Sequence, residues 1–292
     1  MNLRSRARVT YEALLSPFGA RAVERLLRDG GPSQLAVPLR FLFTGRVPVP
    51  AERAASQIEN LRAQIAARPE TFRFASFDHP LGPVRLAHSA AATQADLTCN
   101  QLANTLSVPR RWGLFLHLCA EAFGARTILE LGACVGISGA YLASVPTRPT
   151  IVTLEGSPEL AAIARETLTA VTETADVVVG TFAETLPTTV AQLQSTIDLA
   201  FVDGHHEEAA TLRYVETIAP HMSSSGLFVL DDIYLYRGMW RAWQKLASNP
   251  RFTSVNVGRF GLLVCGSSKG RYDLARYTGY WRVGPARTFV TR

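Results

Sequence analysis

Between Thr127 and Asp232 the chain repeats one pattern. The runs TILELGA (127–133), TIVTLEG (150–156), DVVVGTF (176–182), DLAFVDG (198–204) and GLFVLDD (226–232) are apolar at most positions, and each runs into glycine or a carboxylate. A strand that is apolar on both faces must be covered on both faces, as in a parallel sheet wound with helices, whereas a half-solvated antiparallel strand alternates. The segments between them, SGAYLASV, SPELAAIARETLTAV, AETLPTTVAQLQ and EEAATLRYVETIAPHM, are amphipathic and of helical length. Strand, helix, strand, repeated with short connections, predicts an α/β fold with a Rossmann-like, doubly wound, mostly parallel sheet.

Local signals place the ends of these elements. Ser157 is an N-cap residue, Pro158 suits the first helical position and Glu159 faces the positive end of the helix dipole, so the second strand stops at Glu155 or Gly156. After the fifth run, RGMWRAWQKLASNP reads as a helix closed by Pro250. FTSVNV and FGLLVCG, joined by Gly258 and Arg259, read as a hairpin that finishes the sheet with an antiparallel strand. The chain before Thr127 differs, being Pro-punctuated, with one clear helix, AERAASQIENLRAQIAARP, and a second, RRWGLFLHLCAEAFGA, leading into the first strand. The expected organisation is a mainly helical N-terminal cap at 1–105, an α/β domain at 106–266 and a basic tail at 267–292 with no clear period.

With 47 % hydrophobic residues the chain can bury a substantial core, yet no window approaches the roughly 20 apolar residues of a membrane span and no secretory leader is evident, so the expected location is the cytoplasm. The 4 cysteines are scattered without zinc spacing, which excludes a zinc or disulfide framework. The net charge of +6 invites a nucleic-acid reading. Its distribution weakens that reading: residues 1–126 carry 16 basic against 9 acidic side chains, residues 127–265 carry 8 against 14, and residues 266–292 carry 6 against 1. The presumptive ligand-binding part is therefore acidic.

In an open α/β sheet ligands bind beyond the carboxyl ends of the strands, where strand order reverses. The first such end is Glu130-Leu-Gly132-Ala-Cys-Val-Gly136-Ile-Ser138-Gly139, a glycine-rich turn that brings backbone N–H groups to a ligand. It is not the GxGxxG of dinucleotide enzymes, because Cys134 takes the middle glycine, and neither Lys245 nor Lys269 completes a YxxxK. Glu155 ends the second strand, placed to accept the hydroxyls of a ribose. A glycine turn with an acidic second strand end and no phosphate fingerprint suits S-adenosylmethionine, which has ribose and adenine but no phosphate, and whose ammonium and sulfonium favour negative surroundings.

ELGACVGIS, VTLEGSPELAAIA, VVVG and IDLAFVDGHH, in that order, resemble the class I S-adenosylmethionine-dependent methyltransferases, and within them the catechol O-methyltransferase-like branch. The resemblance spans roughly residues 110–265. It implies that Glu130, Gly132, Gly136 and Ser138 hold the methionine end of the cofactor, Glu155 its ribose, and Thr181 and Phe182 border the adenine. It also implies a divalent metal, Mg²⁺, held by Asp203 and by the pair Asp231 and Asp232, which would lower the pKa of an acceptor hydroxyl. Where that branch has a lysine base, this chain has His206, an imidazole able to act as general base beside Asp203. Ser16-Pro17-Phe18, Ile58-Glu59-Asn60-Leu61-Arg62 and the run from Asp231 to Trp243 further resemble a group of bacterial methyltransferases.

Alternatives stand beside these roles. Gly132, Gly136 and Gly139 also serve close strand–helix packing, and Asp231 also serves as a helix cap or as a partner of Arg237. Tyr234 and Tyr236 are candidate walls of an acceptor pocket, while Trp240 and Trp243 share one helix face. The expected function is metal-assisted O-methylation of a small hydroxylated acceptor, with an RNA methyltransferase or a non-catalytic cofactor-binding protein as alternatives, and self-association into a homodimer left open.

Overall fold

The computed structural model describes residues 3–76, 93–266 and 270–278. Helices α1 (Leu3–Arg28), α2 (Ala36–Thr44) and α3 (Val49–Ala66) come first, followed by strands β1 (Thr71–Ser76) and β2 (Thr93–Thr98), the single turn α4 (Cys99–Gln101) and helix α5 (Arg110–Ala122). Then the alternation begins: β3 (Thr127–Leu131), α6 (Ile137–Ala143), β4 (Thr150–Glu155), α7 (Pro158–Thr169), β5 (Ala175–Val179), α8 (Phe182–Gln192), β6 (Ile197–Val202), α9 (Glu208–Ile218) and β7 (Met222–Leu230). Helix α10 (Arg237–Ala247) and strands β8 (Phe252–Asn256), β9 (Gly261–Cys265) and β10 (Arg271–Asp273) complete the chain.

The eight-stranded sheet runs β10-β8-β9-β7-β6-β3-β4-β5. Strands β3 to β7 pair in parallel, and β9 enters antiparallel between β7 and β8. Successive side chains of each strand enter opposite cores, which is why the runs are apolar throughout. Ile128, Ile151, Phe201 and Val229 join α5, α6, α7 and the N-terminal helices, whereas Leu129, Val152, Val202 and Phe228 join α8, α9 and α10. The Ser157 cap forms as its sequence predicts, its hydroxyl accepting from Leu160 N–H at 3.3 Å.

Two elements add to the sequence expectation. The N-terminal part contains an antiparallel pair, β1 with β2, as well as helices. TFRFAS alternates as a strand should, but its partner TQADLT is polar and carries no apolar period. At the other end, residues 271–273 of the expected tail add β10 in parallel to β8, so the boundary drawn at 266 falls within the sheet. Three residues are too few to show a period, and the edge pairing supplies what the pattern lacks. The tail beyond Thr278 lies outside the described residues, as do the side chains of Arg4, Arg6 and Arg8. No helix among the described residues is long and apolar enough to cross a membrane.

The IENLR stretch of α3 locks the N-terminal helices onto the sheet layer. Arg62 is buried and donates to the carbonyls of Ala103 and of Val108, the latter at 2.7 Å. Glu59 accepts from the Tyr141 hydroxyl of α6 at 2.8 Å and from Arg62 Nε at 3.1 Å. Val23, Leu39 and Ile58 accordingly share one core with the β3 face of the sheet.

Candidate active site

Strand order reverses between β3 and β6, and the loops leaving these two strands touch. Asp203 N–H donates to the Leu131 carbonyl at 2.9 Å, and Gly132 N–H donates to Leu154 at 2.9 Å. A Cβ on Gly132 would lie 1.8 Å from the Asp203 carbonyl oxygen, at a φ of +99°, so only glycine lets the two loops cross. Gly136, with φ +83°, starts α6 against Ala164. Both glycines thus have a packing reason, and together they bend the turn around the point where strand order reverses. Three non-glycine residues at this edge also adopt left-handed backbone: Cys134, His205 and Asp232. Such conformations cost about 1–3 kcal/mol each and persist only where the surroundings impose them.

The carboxylates predicted for the cofactor lie along this edge. Glu155 accepts from Cys134 N–H at 2.8 Å and from Ser157 N–H at 2.9 Å, which fixes it across the glycine turn. Glu130 is fully buried, and neither of its oxygens meets a donor in hydrogen-bonding geometry, although Ser138 and Thr153 lie beside it. Burial pushes its pKa up to about 7. A buried carboxyl beside the Ser138 and Thr153 hydroxyls at the base of the turn is a polar, acidic lining suited to a cationic ligand, so these residues fit the predicted cofactor. Thr181 closes a capping box with Glu184 at the start of α8. The Phe182 ring stacks edge-on to Tyr214 at 5.6 Å and lies against Gly204, on the β5 and β6 side of the same edge.

His206 and Asp203 are brought together, Nε2 to Oδ1 at 3.5 Å. Burial, with the charge of Asp231 next, raises the Asp203 pKa, while His206 and Arg259 pull it back. The neighbouring His205 turns away, its Nδ1 hydrogen-bonded to the Tyr214 hydroxyl at 2.8 Å.

The carboxylates expected to hold a metal have partners within the protein. Asp231 is fully buried and both its oxygens are taken by Arg259: Nε to Oδ1 at 2.7 Å and Nη2 to Oδ2 at 2.6 Å. Oδ1 also accepts from Asp232 N–H at 2.7 Å. No group of three or more His, Cys, Asp or Glu side chains is arranged to hold a metal ion among the described residues. The donor set Asp203, Asp231 and Asp232 therefore does not fit Mg²⁺, because a cation of the protein's own already holds the central carboxylate. The sequence alternative for Asp231, a pairing with arginine, is correct in kind, with Arg259 as the partner. Tyr234, a candidate pocket wall, is instead buried, stacked on Trp240 at 4.8 Å and accepting from Asn256 at 2.9 Å.

Residues 129–233 match the family model of a methyltransferase domain, and they span the parallel, Rossmann-like part of the sheet. The resemblance drawn from ELGACVGIS and the motifs after it is thus found independently. Among curated proteins the chain is similar to the catechol O-methyltransferase of Mycobacterium tuberculosis, 31% identical over 154 residues, covering 52% of this chain and 65% of that protein. It is also similar to the catechol O-methyltransferase of Niastella koreensis, 32% identical over 101 residues, covering 34% and 46%. The chain thus spans less than two thirds of the length of either. Among solved structures, an O-methyltransferase from Bacillus cereus in complex with SAH has the same fold, with a TM-score of 0.52 over 76% of this chain and 94% of that one, at 18% identity.

Proposed function

We propose that this chain is an S-adenosylmethionine-dependent O-methyltransferase acting on a small hydroxylated acceptor. The observation that carries the reading is Glu155, held by two backbone N–H groups across the Gly132–Gly136 turn inside the segment that matches a methyltransferase domain. A carboxylate has about four acceptor positions, and at the end of β4 Glu155 would accept the two ribose hydroxyls. Glu130, Gly132, Gly136 and Ser138 would surround the methionine end, and Thr181 and Phe182 would border the adenine. When bound, S-adenosylmethionine supplies a methyl group made electrophilic by its sulfonium.

The chain's own part is to hold the acceptor oxygen in line and to remove its proton. His206 would take the hydroxyl proton as the oxygen forms its bond to the methyl carbon, with Asp203 orienting the imidazole. The acidic edge formed by Asp203, Asp231 and Asp232 favours a small neutral or phenolic acceptor over a phosphodiester, which it would repel.

Calorimetric titration with S-adenosylmethionine tests the reading. One site should be seen, and Glu155→Ala should weaken it about ten- to a hundredfold, the loss expected for hydrogen bonds to a charged group. With a panel of phenols and catechols, His206→Ala should lower turnover about 10²- to 10⁴-fold while cofactor affinity is unchanged. Absence of cofactor binding would overturn the reading.

A further inference from the structure

Arg259 stands at the carboxylate cluster where the family resemblance leads one to expect a metal ion. We propose that its guanidinium is the permanent cation of the Asp203–Asp231–Asp232 cluster, so that this chain performs its reaction without a divalent metal. The proposal rests on reading the domain as a methyltransferase, but its test does not.

The pairing is a built one. A bidentate fork between Arg259 and a carboxylate with no exposure uses the strongest geometry available to an ion pair in a protein. Nη2 also lies 3.7 Å from Asp232 Oδ2, so one guanidinium faces two of the three carboxylates. Burial alone would lower the Arg259 pKa, yet Asp231 and Asp232 carry it above the ordinary arginine value, and the charge is present at every working pH.

The backbone holds Arg259 in place from both sides. Gly258 takes a φ of +96° and donates to Asn256 Oδ1 at 3.0 Å, and Val257 N–H donates to the Phe260 carbonyl at 3.0 Å. The Arg259 carbonyl accepts from Ile233 N–H at 3.3 Å, tying the hairpin to the loop after β7. Phe260, the next residue, is fully buried among Trp112, Phe115 and Phe201. A metal ion at Asp231 would have to displace both bonds of the fork and leave the mostly buried guanidinium without its carboxylate, which is costly.

The function of the missing metal is kept in part. A divalent ion binds the acceptor oxygen and stabilises negative charge on it. A guanidinium has five donors, and among the described residues Nη1 makes no hydrogen bond, so it remains able to donate to an acceptor oxygen. The carboxyl groups outnumber the single guanidinium, and the cluster still suits a cationic methyl donor.

The test is a titration of the full chain with Mn²⁺, read by the loss of the free-ion paramagnetic resonance signal. The wild-type protein should show no saturable site. Arg259→Met should gain one, and Asp231→Asn in the Arg259→Met background should abolish it. Methyl transfer by the wild type should be unchanged by EDTA. A wild-type site that Asp232→Asn removes would overturn the proposal, as would failure of both wild type and Arg259→Met to bind. Should Arg259→Met not fold, the wild-type titration compared with Asp232→Asn decides alone. Failure of the methyltransferase reading would appear separately, as absence of S-adenosylmethionine binding.

Discussion

Gly132 is legible in the sequence as part of a glycine turn, but the reason it must be glycine is not, because the atom that excludes a side chain is the Asp203 carbonyl far down the chain. Gly132→Ala combines that clash with a left-handed φ, and should cost more than about 3 kcal/mol or prevent folding, as read by urea unfolding. Glu130 makes an opposite case, a residue whose own charge disfavours the native state. Its pKa in the folded protein, about 7, lies above its ordinary value of 4.5, so between these pH values the native state holds a proton that the unfolded chain has released. Stability therefore falls as pH rises from 4.5 to 7, by on the order of 3 kcal/mol at about 1.4 kcal/mol per pH unit. Glu130→Gln, without cofactor, should melt at a higher temperature than wild type at pH 8 and lose that advantage near pH 4.5. Asp231 was legible as a strand-end carboxylate, but its partner was not, since the two residues are 28 positions apart, one just after β7 and the other in the turn between β8 and β9.

Elements were legible where a short-range rule governs them. The cap at Ser157, the doubly apolar β3, β4 and β6, and the hairpin turn at Gly258 follow from neighbours in sequence. The docking of α3 does not, because Arg62 reaches carbonyls of a turn about forty residues on. Arg62→Leu leaves the Ala103 and Val108 carbonyls buried without donors and should cost about 2–4 kcal/mol in urea unfolding. Amide exchange should accelerate first in residues 102–108, the turn that Arg62 holds, and last in β3.

At the scale of the whole molecule, the N-terminal helices and the last described strand belong to the same core as the central sheet. Leu274 and Ala275 are buried, and Tyr272 reaches the Asp29 carbonyl at the end of α1 at 3.3 Å. Truncation after Gly266 should therefore lower the melting temperature and, by exposing the β8 edge, promote aggregation measurable by light scattering. Removing residues 1–98 should leave no soluble domain, since the face of β3 and α5 that they cover is apolar. The position of β9 sets a further condition, one of timing. β9 enters the sheet between two strands made before it, and Arg259 arrives with it. During synthesis from the N-terminus, β3 to β7 emerge while β7 still has an open edge and Asp231 has no counter-ion. The segment proposed to hold the cofactor is thus translated well before the guanidinium that pairs with Asp231, and a ribosome-bound chain that has not passed residue 265 should be prone to aggregate.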